Sequence, residues 1–422
     1  MTTFSISAPY PEGAILALAT RMTTGGDLAC YYAPSRSVNG LFAKALGALP
    51  STSTRRVAQR LLRGTAHAIS PFCEVGGGIE IRRLLGSQLT RRTGHVFWSF
   101  DELKRDFDKR VARKLGHSDV FIGLPGASLD SFRSVSSRTM RVLHEVDAPP
   151  HAHNGALLAH YTRREVQREL LPQRISDVVE EEIREADVVL SPSNVVSRQL
   201  RELVSDIRIV QVAYGVDLER FRFPSTSVSA RGSGRRPHAV YVGQISRRKG
   251  IPFLVAAAST LHIDVSLVGP MVDPTVLEKA PVNVSYLGVL PHEQLNDKLG
   301  TADVFVFPSI EENFGLALIE AVASGLPVIT TTAVGSAELL DSRDVCLVPP
   351  GDAAALRTAL SNVRPQPEEE RRERASRVRD PESNVVSWDT YFERVKDGLL
   401  SNMVSQHEDR LPKVEQSDGG LL

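Results

Sequence analysis

Short apolar runs of four to six residues punctuate this chain, each closed by Gly, Ser, Pro or Thr. They are "DVFIGL" (119–124), "MRVLHEV" (140–146), "ADVVLSPS" (186–193), "HAVYVG" (238–243), "DVSLVG" (264–269), "VSYLG" (284–288), "ADVFVFPS" (302–309) and "LPVITT" (326–331). Runs of this length, apolar on both faces, predict parallel strands buried within a sheet. Helical stretches such as "ISDVVEEEIREA" (175–186) and "IPFLVAAASTL" (251–261) lie between them. Strand–helix–strand alternation predicts an α/β fold with parallel sheets.

At 422 residues the chain is too long for one ordinary domain. The segment 224–237, "PSTSVSARGSGRRP", has almost nothing to bury and reads as a linker. It divides the chain into two doubly wound domains, 1–223 and 238–384. An amphipathic helix is predicted over 385–402, with Val385, Trp388, Tyr391, Phe392 and Val395 on one face, and a disordered tail over 403–422. The segment 364–383 is charged throughout and reads as solvated.

Lys+Arg and Asp+Glu number 50 each, so overall charge points to no polyanionic partner. The basic region 51–92 lacks the interleaved aromatics of a nucleic-acid platform, and no nucleic-acid partner is expected. A basic helix with apolar residues there suits peripheral contact with an anionic membrane; a solvated basic surface is the alternative. The three cysteines, Cys30, Cys73 and Cys346, have neither metal-ligand nor disulfide-framework spacing, as in a reducing cytosol. Cys73 and Cys346 read as small buried hydrophobes. No signal peptide or membrane-spanning run is seen, so a cytoplasmic location is expected, including the inner membrane face.

In "SIEENFGLALIEAVASGLPVITT", Glu320 lies within an apolar helix and Glu312 in the turn before it. Burying a lone carboxylate is costly unless it is hydrogen-bonded, and a diol would supply that. Ligands of open α/β sheets bind beyond the carboxyl ends of strands, where helix N-termini present free amides. The alternatives are a loop acid favouring a helix N-terminus for Glu312 and a solvated helix position for Glu320.

The segment "PSIEENFGLALIEAVASGLPVI" resembles the E-x7-E signature of family 4 glycosyltransferases, retaining enzymes of the GT-B fold. The resemblance implies two Rossmann-like domains facing a central cleft, with the last helix crossing back to the first domain. It implies that Glu312, Asn313, Phe314, Gly315 and Leu316 face the donor sugar and diphosphate, and that Glu320 holds the ribose. "YVGQISRRKGIPFLVAA" (241–257) resembles the loop that binds the diphosphate. Lys249 matches the family lysine. Gln244 replaces the usual arginine, leaving Arg247 or Arg248 to supply the missing charge. In the first domain the resemblance places Gly13 beneath the phosphates, where glycine permits close backbone approach. It also places a histidine near the reacting carbon: His151, with His144 and His153 as alternatives and His144 open to a core reading.

The resemblance implies a retaining transferase moving a sugar from a nucleoside-diphosphate-sugar to an acceptor hydroxyl in glycan or glycolipid biosynthesis. His151, Glu312 and Lys249 would be its catalytic residues. No cofactor and no metal are expected, since basic groups and amides would neutralise the diphosphate. The acceptor could be a glycan, a lipid-linked sugar or a small molecule. A catalytically silent nucleotide-sugar-binding scaffold, or a phosphorylase or epimerase of the same fold, is the alternative.

Overall fold

Two parallel sheets organise the chain. In this computed structural model the described residues are 2–10, 13–34, 69, 71–75, 79, 82, 99–221 and 235–410. The first sheet holds β1 (Phe4–Ser7), β2 (Leu28–Ala33), β3 (Phe72–Glu74), β4 (Val120–Gly123), β5 (Met140–His144), β6 (Val188–Ser191) and β7 (Ile209–Gln211) in the order β3-β2-β1-β4-β5-β6-β7. The second holds β8 (His238–Val242), β9 (Asp264–Val268), β10 (Val284–Gly288), β11 (Val304–Phe307), β12 (Val328–Thr331) and β13 (Val345–Val348) in the order β10-β9-β8-β11-β12-β13. Every strand pairing in both sheets is parallel. Both orders reverse direction next to their first strand, between β1 and β4 and between β8 and β11. These are the switch points where doubly wound sheets open a crevice.

The helices used below are α1 (Gly13–Gly25), α2 (Phe100–Ala112), α3 (Pro150–Leu158), α4 (Arg163–Val166), α5 (Gln173–Glu185), α6 (Asn194–Leu203), α7 (Ile251–Ala258), α8 (Leu316–Ala323), α9 (Glu368–Arg377) and α10 (Trp388–Arg410). Apolar clusters cover both faces of the first sheet, one built on Phe4, Ile6, Val142 and Leu190, the other on Phe107, Phe121, Leu143 and Val189. This is why β4, β5 and β6 read as continuous apolar runs. Tyr241, Phe305, Leu318 and Val322 belong to the core of the second half. Gly325 ends α8 at φ 84°, where a glycine is favoured, and its N–H returns to the Val322 carbonyl at 2.8 Å.

The last helix crosses back. Tyr391, Phe392, Val395 and Leu399 are buried in the first half's core, although they follow the second half in sequence. Lys396 reaches Asp27 beside β2 at 2.6 Å. The helix runs to Arg410, past the boundary expected at 402, because "SNMVSQHEDR" contains neither Gly nor Pro to stop it.

Other expectations change. The strand "VSYLG" is not buried on both faces: β10 is an edge strand, with Tyr286 and Leu287 exposed. Cys346 is exposed and Cys73 half-buried, because β13 and β3 are also edges. The charged segment 364–383 is not simply solvated. Within α9, Arg374 is buried; its Nε donates to Asp344 at 2.9 Å and its guanidinium also donates to the Gly325 carbonyl at 3.0 Å. A guanidinium can satisfy orphan carbonyls behind a helix end, and charge density alone does not reveal that use. Most of the 224–237 linker, almost all of the basic 51–92 region and the end of the 403–422 tail lie outside the described residues.

Leu399 is fully buried against the first half. Leu399→Ala is expected to cost about 2–5 kcal/mol, read as a lower urea midpoint.

Candidate functional site

Two loops of the second half meet at its switch point. The basic loop follows β8 and contains Gln244, Arg247, Arg248 and Lys249. The acidic loop follows β11 and contains Glu311 and Glu312. Gly250 lets them approach: at φ 69° it lies against β11's end, where a Cβ would sit 1.8 Å from the Pro308 carbonyl oxygen. Ile310 N–H also donates to the Arg248 carbonyl at 2.8 Å. The result is an ion pair between Lys249 Nζ and Glu312 Oε2, with both side chains largely shielded from solvent. Sequence reasoning chose both residues, and the structure brings them together.

Glu312 is tied at its backbone to the segment after β12: its carbonyl accepts from Gly335 N–H at 3.2 Å. Helix α8 then begins at Leu316; its third amide, Leu318 N–H, already donates to the Gly315 carbonyl at 3.0 Å, and the dipole of a helix N-terminus favours negative charge there. Glu320 lies one turn further on and is only partly exposed. Burial pushes its carboxyl up to about 7, against a weaker opposing pull from Arg220. No hydrogen-bond partner for it is found among the described residues.

The remaining predicted residues separate. Asn313 and Phe314 commit their side chains to the first half rather than to an open cleft. Asn313 Nδ2 donates to the Val146 carbonyl at 2.6 Å, and the Phe314 ring lies 5.1 Å from that of Tyr214. Ser193 of the first half donates to the Asn313 carbonyl at 2.7 Å. Gly315 and Leu316 form the entry to α8. Gln244 is exposed and brings no charge. Arg247, expected as a replacement cation, instead pairs with Asp273 at 3.1 Å and lies over the Tyr161 ring. Arg248 pairs with Glu311 at 3.3 Å. The sequence pattern shows which residues are basic, but not that acids from other elements already hold two of them.

Gly13 opens α1 beyond β1, at the first sheet's switch point. The three histidines have different surroundings. His144 is a core residue: its Nε2 lies 2.6 Å from the Tyr391 hydroxyl, its ring stacks on Tyr214, and burial lowers its pKa to about 4. His153 is held on both ring nitrogens, by Glu311 Oε2 and by the Glu169 carbonyl, each at 2.9 Å. His151, in the first turn of α3, is half-buried and its shielded Nδ1 has no hydrogen-bond partner among the described residues. Among the described residues, no group of three or more His, Cys, Asp or Glu side chains is arranged to hold a metal ion. None of their helices is long and apolar enough to cross a membrane.

Residues 236–364, which carry both loops, match the family described as Glycosyl transferases group 1. The chain carries a group 1 glycosyltransferase domain. Among curated proteins, the sulfoquinovosyl transferase SQD2 of Arabidopsis thaliana is 29% identical over 196 residues, covering 43% of this chain and 38% of that protein. The chain therefore spans well under half of that relative's length. Among solved structures, sucrose-phosphate synthase from Thermosynechococcus elongatus superposes with a TM-score of 0.63 at 17% identity, covering 96% of this chain and all of that one. Anabaena HepE, solved with UDP and glucose, gives 0.59 at 15% identity over 95% of this chain and all of its own. The fold around the glycosyltransferase domain is GT-B, with two doubly wound sheets and a returning helix.

The raised pKa of Glu320 carries a test. A carboxyl that holds its proton to higher pH in the folded state makes the folded protein take up protons between about 4.5 and about 7. Its contribution to stability is greatest below that window and is lost as pH rises through it. Glu320→Gln is expected to remove this slope. Urea unfolding at pH 5 and pH 8 checks it: the variant should lose less stability between the two than the parent.

Proposed function

We propose that the protein is a retaining glycosyltransferase that moves a sugar from a nucleoside-diphosphate-sugar to an acceptor hydroxyl. The observation that carries this reading is the Lys249–Glu312 pair, shielded at the switch point of the second sheet beside the α8 N-terminus, with the Glu320 carboxyl, one turn along the helix, lacking a partner among the described residues. In the free protein Lys249 and Glu312 satisfy each other. A donor would replace that contact with two others: diphosphate oxygens on Lys249 and sugar hydroxyls donating to Glu312. Glu320, in its ionised form, would accept from the ribose hydroxyls. The helix N-terminus suits the same phosphates.

The chemistry requires stabilisation of charge developing on the leaving diphosphate, which a lysine and fixed amides supply in a shielded cleft. His151, whose Nδ1 on the first half has no partner among the described residues, is the histidine best placed to meet the acceptor side, since His144 and His153 are already engaged. The group 1 family match supports glycosyl transfer in glycan biosynthesis, and HepE's complex with UDP and glucose supports a nucleotide-sugar partner. The acceptor class stays as broad as glycan, lipid-linked sugar or small molecule, and peripheral membrane contact belongs to the same proposal. A silent sugar-nucleotide-binding protein is the second reading, and the uncharged Gln244 favours it.

The test is thermal stabilisation by a panel of UDP-, GDP-, ADP- and dTDP-sugars, with Glu320→Ala alongside. One donor should stabilise the parent, and the variant should respond less. With that donor, Lys249→Ala is expected to lower kcat by about 10²-fold or more, and proton NMR of the product should show the donor's anomeric configuration. Binding without transfer or hydrolysis would establish the silent reading instead.

A further inference from the structure

The two halves are fastened by a cluster placed directly behind the Lys249–Glu312 pair. His153, on α3 of the first half, has an acceptor on each ring nitrogen: the Glu311 carboxylate at Nδ1 and the Glu169 carbonyl at Nε2, both at 2.9 Å. A carbonyl cannot donate, so Nε2 must carry a hydrogen. A second proton must then sit between Nδ1 and Glu311. Arg248, 3.3 Å from the same carboxylate oxygen, favours the ionised acid and hence the imidazolium.

Glu169 acts twice. Its carbonyl holds His153, while its carboxylate accepts the backbone N–H groups of Arg247 and Arg248, each at 3.0 Å. Glu311 and Arg248 immediately precede Glu312 and Lys249 in sequence. The cluster therefore touches both loops one residue away from the ion pair.

We propose that His153 and Glu169 are positioning residues: they form a clasp that closes the first half on the second by holding one proton, and so set the loops that carry Lys249 and Glu312. The role in donor binding rests on the function proposed above; the clasp itself does not.

The charged groups around His153 decide the sign of its pH dependence. They are Glu311 from the acidic loop, Arg248 from the basic loop and Glu169 from its own half, with Asp147 acting on Arg248 and Lys249 on Glu311. Burial by itself would lower the His153 pKa; the hydrogen bond and charge of Glu311 outweigh it and raise the value above 6.5. Burial would likewise raise the Glu311 carboxyl, but His153 and Arg248 hold it below its ordinary value. A raised histidine stabilises the closed form fully below about 6.5, and this is lost as pH rises through the raised value.

The test uses the full chain without nucleotide. Histidine NMR, with His153→Gln for assignment, should show a ring that is doubly protonated below its titration and that titrates above 6.5. The radius of gyration from X-ray scattering should increase above that pH in the parent, and should be larger and independent of pH in His153→Gln. Hydrogen exchange at one pH should show segments 246–250 and 310–315 less protected in His153→Gln and in Glu169→Gln by about tenfold, the scale of one charge-assisted hydrogen bond. Titration at the ordinary value, or variants that scatter and exchange like the parent, would overturn the clasp. If these readouts hold while no sugar nucleotide binds, the proposed function fails and the clasp stands.

Discussion

A parallel sheet delivers all its carboxyl-end loops to a single edge, and this constraint underlies the rest of the molecule. Each strand must return by a crossover, so each loop after a strand is free to differ from its neighbours. Here the loops after β8 and β11 carry opposite charge and meet across the switch point. The crossover helices cover the sheets, which lets short apolar strands survive without any solvent face. The returning α10 adds a restraint of another kind: its buried face joins the core of the first half, so the chain's last described helix ties both halves together.

The seam between the halves is polar, and several of its groups are paired across it. Asn313 donates to the Val146 carbonyl, Ser193 donates to the Asn313 carbonyl, and Asn194 pairs with Glu338. Buried polar groups are costly when left unpaired, so such contacts fix one register between surfaces that apolar packing alone would leave free to slide. Glu312 and Lys249 satisfy each other, whereas Glu320 has no partner among the described residues, and a site built for an incoming ligand leaves such a group unsatisfied.

Much of this was legible from local pattern. The runs that became β4, β5, β6, β8, β9, β11 and β12 are buried strands whose apolar character is continuous. Motif resemblance singled out Glu312 and Lys249, but not their contact with each other. Strands β2, β3, β7 and β13 were not singled out: β3, β7 and β13 are edges of three or four residues, and "LACYYA" carries no run distinct from its surroundings. The arginines of α9 looked solvated because sequence counts charges without showing which carbonyls await a donor.

The clasp had no sequence signal. His153 and Glu311 are 158 residues apart, and nothing near either one requires the other. The sequence by itself determined the two doubly wound halves, because strand burial and helix ends are local properties of the chain, while the returning helix and the residues at the switch point came from its resemblance to a known family. Only the tertiary structure decided that Arg247 and Arg248 are already held by acids, that Asn313 and Phe314 bridge the halves, and that of three histidines one is core, one bonds across the seam and one has a ring nitrogen without a partner among the described residues. Those roles depend on which groups meet in space, and hydrogen-bond partners drawn from distant segments leave no periodic trace in either one.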